Sequence, residues 1–376
     1  MRKSFWFFII FYGLLLAIII PNFDPGGSGN DFIGYWTASR LFITGGNAYE
    51  ENSLRSLQKA IRPDLEVVEV WNPPWLLVIL APLGILPFDL AVRLWIFLNI
   101  FLLVVALFFT WQMAVGSNYQ KFFPLVLYAG FLFGNTYDMI QIGQISSLIL
   151  ISLMVGIFLI QKERDWLAGA TLFLSTIKPH LVYLVFIVIL IWCIRKRRWK
   201  IWGGMALTGL FSSFIVWLIF PYWFEVYMNK IFQLPYFDLY SSTLGSFVAA
   251  IAGINYFRYI GILLLPLAFP LSKLILKDGW LTAINLTLTI SIPLSPYGYS
   301  FDHVLLLPAV TEMIAWIVRR ELPIPIAWVT GVGLIIIYGV LLWMNILALP
   351  YYWYFWTALA LFFLYFVAWR YRCAKN

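Results

Sequence analysis

Long apolar segments alternate with short polar ones over the whole length of the chain. The apolar runs begin near residue 5 and recur as far as about residue 369, and many approach the roughly 20 residues that an α-helix needs to cross a bilayer. This pattern predicts an all-α, polytopic membrane protein of about 11 to 13 transmembrane helices, without a soluble domain. In the second half, helices are expected at roughly 257–272, 280–294, 303–318, 324–348 and 351–369.

The composition agrees with this prediction and narrows the possible ligands. Of the 376 residues, 62% are hydrophobic and only 11% are charged, which excludes a soluble protein. Aromatic residues make up 19%, too many for interfacial belts alone, so many should line cavities between helices that suit long apolar ligands. The net charge of +8 comes from short basic runs between apolar segments, a pattern that indicates membrane orientation and not nucleic-acid binding.

Basic residues orient the chain, because loops rich in lysine and arginine stay in the cytoplasm. Five of the six residues in 195–200 are basic, and smaller basic groups follow near residues 273–277, 319–320 and 370–375. With the first apolar run retained as a helix, both termini are expected in the cytoplasm. The chain then forms one integral-membrane domain, 1–376, with a first outer loop at 22–70 and a late outer loop at 295–303.

The region between residues 90 and 195 allows two topologies. The apolar run at 167–194 is long for one span and is interrupted at Lys178-Pro179-His180. It could be a single kinked helix with the loop 161–166 outside. It could also be two short helices that meet near the outer leaflet, with that loop in the cytoplasm. We favour the second arrangement because Lys162 and Arg164 prefer the cytoplasmic side, and it requires a re-entrant or short segment upstream, for which 122–138 is the candidate.

Asp31 opens the most informative stretch of the first outer loop. From Asp31 to Ile43, apolar and aromatic residues recur at helical spacing with little net hydrophobicity, which predicts a helix lying in the membrane interface. Asp31 could cap this helix, or it could do chemistry at the membrane face. The two roles are compatible.

Other polar residues stand out because they lie in or next to apolar sequence, where such groups are costly without partners. Lys178 could extend to the interface or hold an anion such as a lipid phosphate. His303 could be a hydrogen-bonded interfacial histidine, or it could donate to a phosphate or move a proton. Asp138 belongs either to a surface loop or to a wet cavity. The candidates for a substrate cavity are Tyr35, Trp36, Asn72, Asp138, Gln144, His180, Tyr297 and Asp302.

Several motifs are missing from the sequence. It contains no HExxH, CxxC, Walker A, GxSxG or Asp-x-Asp pattern, which argues against zinc hydrolysis, nucleotide-driven transport and metal-dependent use of nucleotide sugars. The two cysteines, Cys193 and Cys373, form neither a disulfide framework nor a metal site. No cofactor and no metal are expected.

The order of the remaining motifs resembles a known family. The chain is similar to the GT-C superfamily of membrane glycosyltransferases, and most closely to glycosyltransferase family 87, which includes polyprenyl-phosphate-mannose-dependent mannosyltransferases. The resemblance is carried, in order, by Asp31, Tyr35-Trp36-Thr37-Ala38, Gly45-Gly46-Asn47-Ala48-Tyr49, Asn72-Pro73-Pro74-Trp75, Gly143-Gln144, Ile177-Lys178-Pro179 and Ser295-Pro296.

The resemblance implies a function and roles for particular residues. A sugar, such as mannose, would move from a polyprenyl-phosphate donor to a hydroxyl of a glycolipid or glycan acceptor on the outer face of a bacterial plasma membrane. Asp31 matches the family's catalytic base, and His303 matches a histidine near the lipid phosphate, where Lys178 would assist. The late loop departs from the family pattern, because Tyr297-Gly298-Tyr299 follows Ser295-Pro296. The alternative is a polytopic transporter or flippase of lipid-linked or small polar substrates.

Overall fold

The structure, a computed structural model, describes residues 30–232 and 241–375. Within these ranges all regular structure is helical, which confirms the all-α prediction. The α-helices are α1 (Asn30–Ile43), α2 (Glu51–Ile61), α3 (Trp75–Ile85), α4 (Phe88–Val115), α5 (Phe123–Leu132), α6 (Gly134–Ile142), α7 (Ser146–Gln161), α8 (Asp165–Phe173), α9 (Pro179–Lys196), α10 (Lys200–Ile219), α11 (Trp223–Phe232), α12 (Leu244–Ala252), α13 (Ala268–Lys277), α14 (Trp280–Ser291), α15 (Leu307–Val318), α16 (Ile324–Ile346) and α17 (Phe355–Lys375). Short 3-10 helices cover Gln120–Phe122, Leu174–Ile177, Asn255–Leu267, Ser300–Leu306 and Tyr351–Tyr354.

The polytopic membrane class is also confirmed. In the described part of the chain, seven helical stretches are long and apolar enough to cross a membrane, or eight if α6 and α7 form one bent span. In the described residues these spans are fewer than the 11 to 13 predicted, because the apolar runs near 72–88 and 122–138 form short helices and the run at 167–194 is broken, so that only α9 is long enough to span. The first predicted span, residues 5–20, lies outside the described residues.

One break separates α8 from α9. A 3-10 turn, Leu174–Ile177, follows α8, and Pro179 is the first residue of α9, where its missing N–H is tolerated. Arg198, just beyond α9, donates from Nε to Oδ2 of Asp165 at the start of α8, at 2.9 Å. The start of α8 and the end of α9, which both lie away from the break, are therefore close together. The segment is thus two short helices that fold back on each other, as in the second arrangement, and not one kinked helix.

A second break lies between α6 and α7, whose axes differ in direction by 117°. Gly143 ends α6 with a φ of +76°, a conformation that favours glycine. A Cβ atom at this position would also lie 2.6 Å from Cβ of Phe32 in α1. The short or re-entrant segment expected at 122–138 thus corresponds to α5 and α6, with the sharp bend just after it.

Helix α1 forms where the interfacial helix was predicted. Its side chains are buried on most faces, and Phe32 stacks on Trp95 of α4 with ring centroids 5.7 Å apart. The Trp36 indole donates from Nε1 to the carbonyl of Leu86, at the end of α3, at 3.1 Å. These contacts fix the first turn of α1, which carries Asp31, against the helix bundle.

Candidate active site

A cavity of about 1110 Å³ lies where the first turn of α1, both helix breaks and the loops before α3 and α15 meet. Its charged and polar wall is formed by Asp31, Glu66, Glu69, Asn72, Gln144, Lys178, His180 and Asp302. Its aromatic wall is formed by Tyr35, Trp71, Tyr227, Phe232, Tyr259, Tyr297, Tyr299, Phe301 and Tyr351.

Gln144, at the break between α6 and α7, connects the acid to the lysine. Its Nε2 donates to Oδ2 of Asp31. Its Oε1 accepts from Nζ of Lys178 at 3.0 Å and from the hydroxyl of Tyr35 at 3.2 Å. Because these partners need opposite ends of the amide, the orientation of Gln144 is fixed, and Asp31 and Lys178 are held on either side of it.

Lys178 also forms a nearly fully buried ion pair. Its Nζ lies 2.7 Å from Oδ1 of Asp302, and the two side chains are 10% and 2% exposed. Asp302 accepts a second hydrogen bond from Oγ of Ser146 at 2.6 Å and a third from the backbone N–H of Tyr299 at 3.1 Å. The ring of Phe301 lies 4.9 Å from the ammonium group. Lysine and carboxylate are thus both held by several partners.

The electrostatic environment of Asp31 suits a proton acceptor. Burial raises the pKa of its carboxyl above the ordinary value and is the largest influence. The hydrogen bond from Gln144 and the charge of Lys178 lower this pKa, and the charge of Asp302 raises it. Burial also raises the pKa of Tyr35 far above its usual range, so its hydroxyl remains a donor. A carboxylate with a raised pKa in a cleft is the kind of group that acts as a general base.

Most of the residues predicted for the site meet at this cavity. Asn72 donates from Nδ2 to the carbonyl of Ile177 at 2.9 Å, next to Lys178. The His180 ring stacks on Tyr297 with centroids 4.1 Å apart. The predicted residues that line the cavity are Asp31, Tyr35, Asn72, Gln144, Lys178, His180, Tyr297 and Asp302.

Three predicted residues lie elsewhere. Trp36 faces the junction of α3 and α4, and Asp138 accepts from Oγ of Ser300 at 3.4 Å. The Nδ1 atom of His303 lies 3.2 Å from Nδ2 of Asn135, and the ring is buried in the bundle. Consecutive residues in a 3-10 helix point about 120° apart, so the turn that directs Asp302 into the cavity directs His303 away from it.

Sequence reasoning missed an acidic part of the wall. Glu69 forms an ion pair with Lys230 of α11. The Nζ atom of Lys230 also lies 4.1 Å from the centroid of the Trp71 ring. Glu66 lines the same side of the cavity. The signal in the sequence was weak, since acids in a polar loop are common. Among residues 30–232 and 241–375, no group of three His, Cys, Asp or Glu side chains could hold a metal ion.

Together, these features define a polytopic helical membrane protein whose broken helices frame a buried acid–lysine cavity. The family model of glycosyltransferase family 87 matches residues 71–296, more than half of the sequence, and the chain belongs to this family. The resemblance to glycosyltransferase family 87 is thereby confirmed. The matched range includes Gln144 and Lys178, begins after Asp31 and ends before Asp302.

Comparison with solved structures and curated proteins adds little detail. One similar structure is the crystal structure of ArnT from Cupriavidus metallidurans bound to undecaprenyl phosphate. The two chains are 13% identical, with a TM-score of 0.44 over 96% of this chain and 76% of ArnT. No curated protein matches the sequence.

Proposed function

We propose that this glycosyltransferase moves a hexose, such as mannose, from a polyprenyl-phosphate-sugar to an acceptor hydroxyl at the outer face of the membrane. The observation that carries the proposal is the buried connection from Asp31 through Gln144 to Lys178 on one cavity wall. Glycosyl transfer needs a base for the acceptor and a cation for the departing phosphate. This connection offers both within a few ångströms.

In the proposed reaction, Asp31 takes the proton of the acceptor hydroxyl. The acceptor oxygen forms a bond to the anomeric carbon, the bond from that carbon to the phosphate oxygen breaks, and its electron pair stays on the phosphate. The polyprenyl phosphate leaves as an anion, so its departure needs charge stabilisation and no proton. Gln144 keeps the Asp31 carboxylate oriented throughout.

Lys178 provides that stabilisation. An ammonium group has three donors, and two are used in the contacts with Gln144 and Asp302, which leaves one for a phosphate oxygen. A preorganised donor in a water-poor site contributes about 3–4 kcal/mol to stabilising developing charge. His303 was predicted to share this role, but its contact with Asn135 fits a different one. It supports the turn that carries Asp302 from the side away from the cavity.

The basic ends of three helical stretches support the outward orientation of the cavity. Helix α9 begins at the cavity and ends in the basic cluster at 195–200, about 27 Å away at 1.5 Å per residue. The stretches that begin at Ser300 and Tyr351 also start beside the cavity and end at basic residues. Because basic ends stay in the cytoplasm, the cavity opens on the outer side and the C-terminus lies inside. The pattern of the sequence places the N-terminus inside as well.

The test is sugar transfer by the purified protein in lipid nanodiscs. Labelled polyprenyl-phosphate-hexoses are supplied with a panel of alkyl hexosides, and Asp31→Asn is compared with Asp64→Asn, which removes an exposed acid of the same outer region. Loss of a general base should slow transfer by about 10²- to 10⁴-fold in Asp31→Asn alone. A folded Asp31→Asn protein with full transfer would refute the role of the base. Donor that crosses the membrane unconsumed would favour a transporter or flippase.

A further inference from the structure

The cavity wall is acidic for a site that binds a phosphate-linked donor. Of the described residues that line it, four carry carboxyl groups, namely Asp31, Glu66, Glu69 and Asp302, against one lysine, Lys178. Lys178 is already paired with Asp302. The negative charge near the proposed reaction centre should therefore disfavour binding of a second anionic group beside the donor phosphate.

The segment that carries two of these acids, residues 66–72, is tied to α1 and α2. Gln58 of α2 is buried and forms two hydrogen bonds with the backbone of Val68. Its Nε2 donates to the Val68 carbonyl at 2.8 Å, and its Oε1 accepts from the Val68 N–H at 2.8 Å. The same side chain donates to Oγ1 of Thr37 in α1 at 3.1 Å. At Gly34 the segment comes so close that a Cβ atom would lie 2.8 Å from Cγ1 of Val68. Glu66 and Glu69 are thus anchored beside the helix that carries Asp31.

The other end of this segment is tied to the lysine side of the site. Tyr49 donates from its hydroxyl to the carbonyl of Asn72 at 2.9 Å. The Asn72 side chain in turn donates to the carbonyl of Ile177, directly before Lys178. The segment thus spans the distance between the two halves of the proposed reaction centre, and its acids are part of the built cavity.

We propose that the acceptor is an uncharged, hydroxyl-rich glycan or glycolipid headgroup, bound between the segment 66–72 and Tyr227. This inference rests on the proposed glycosyl transfer. Carboxylates are strong acceptors for sugar hydroxyls, whereas they repel a phosphate in a cavity of low dielectric constant. The nearby cation, Lys230, is paired with Glu69, so an anionic headgroup would have to compete with a carboxylate for it. The part of the acceptor that reaches this wall is therefore expected to be uncharged.

The size of the cavity fits two substrate groups. Its volume of about 1110 Å³ exceeds the range of roughly 300–1,000 Å³ that is usual for a pocket holding one small ligand. The donor sugar and phosphate occupy the side of Asp31 and Lys178. The side of Glu66, Glu69 and Trp71 remains for the acceptor.

The test uses a matched pair of acceptors, octyl mannoside and octyl mannoside 6-phosphate, with nanodisc-embedded protein. Their binding is measured with polyprenyl phosphate at saturation to fill the donor side, and their KM values are measured with labelled polyprenyl-phosphate-mannose. The wild-type protein should prefer the neutral glycoside by at least about tenfold. Glu66→Lys should reduce or reverse this preference, and Glu66→Gln should raise the KM for the neutral glycoside. Asp64→Lys, which makes the same charge change outside the cavity wall, should leave the preference unchanged.

Three results would overturn the inference: equal or tighter wild-type binding of the phosphorylated glycoside, equal shifts in Glu66→Lys and Asp64→Lys, or no binding of the neutral glycoside. The first two leave the proposed function intact if sugar is still transferred. By contrast, failure of the proposed function appears as a protein that consumes no labelled donor with either acceptor. The binding measurement tests the preference for an uncharged acceptor whether or not the protein transfers sugar.

Discussion

Replacing Lys178 by methionine tests whether the ion pair with Asp302 has a role in donor binding as well as in folding. The pair is nearly fully buried, with Nζ and Oδ1 2.7 Å apart. Removal of one partner of a buried pair destabilises a protein by about 3–5 kcal/mol. Asp302 would keep its hydrogen bonds from Ser146 and Tyr299, so Lys178→Met should fall at the lower end of that range. Its melting temperature should drop clearly.

The double variant Lys178→Met/Asp302→Asn separates the two roles. It removes both charges, and a neutral replacement of a buried ion pair is often as stable as the pair itself. Its melting temperature should therefore return close to that of the wild type. Its donor affinity should stay below that of Asp302→Asn alone, because a hydrogen bond from a charged donor contributes about 1.5–3 kcal/mol, or roughly ten- to a hundredfold in binding.

The single variant Asp302→Asn should have the opposite effect on binding. It removes the carboxylate that competes with phosphate for Lys178, so polyprenyl phosphate should bind more tightly than to the wild type. The assay combines thermal unfolding with equilibrium binding of polyprenyl phosphate in nanodiscs, and Lys59→Met, an exposed lysine of α2, is the control. If the double variant binds polyprenyl phosphate as tightly as Asp302→Asn does, Lys178 serves only to hold Asp302 and the phosphate role is refuted.

Three further predictions concern the base, the acidic segment and the orientation. Transfer should be lost as pH falls through the pKa of Asp31, because only the ionised carboxylate accepts a proton, and burial places this loss above the pH at which an ordinary aspartate protonates. Gln144→Leu removes a hydrogen bond that lowers this pKa, so the acid limb of the pH–rate profile should move to higher pH; an unmoved limb would contradict the assignment. Gly34→Ala should destabilise the protein by about 1–3 kcal/mol and raise the acceptor KM, whereas Gly331→Ala, with no neighbour within 4 Å, should change neither. The orientation is tested with an impermeant maleimide on sealed right-side-out vesicles, in a Cys193→Ser/Cys373→Ser background. Asp64→Cys should react from outside, and Lys196→Cys should react only after permeabilisation. The reverse pattern would refute the outward cavity.

The sequence predicted the helices well where one apolar run makes one helix. The stretches that became α14, α16 and α17 were located within a few residues, because their apolar runs are bounded by basic or proline-containing loops. It could not decide between two topologies for 167–194, since a proline can kink a helix or begin one. The structure decides through the contact between Arg198 and Asp165, residues that are distant in sequence and therefore invisible to a local pattern.

The candidate site was predictable where a charge interrupts apolar sequence. Lys178 stood out because an unpaired charge within apolar sequence is costly, and Asp31 stood out as an acid in the outer loop that follows the first apolar run; both line the cavity. The same argument singled out His303, but it carries no information on which way a side chain points in a 3-10 turn. Glu66 and Glu69 lie in a polar loop, where charges are ordinary. Only the fold of that loop onto α1 gives them a place in the cavity.

The two helix breaks bear on how an acidic cavity would accommodate the phosphate of the proposed donor. A break in a membrane helix leaves backbone groups unpaired, and it is tolerated where it lines a cavity or is buried in protein. Here the breaks place the N-terminal ends of α7 and α9 at the cavity, and α1 also begins there with Asp31. Helix N-termini carry partial positive charge, which stabilises nearby anions. In the proposed reaction, the carboxylates of Asp31 and Asp302 and the donor phosphate would therefore compete for the same positive ends and for Lys178. This competition is why loss of the Asp302 charge is expected to strengthen polyprenyl phosphate binding.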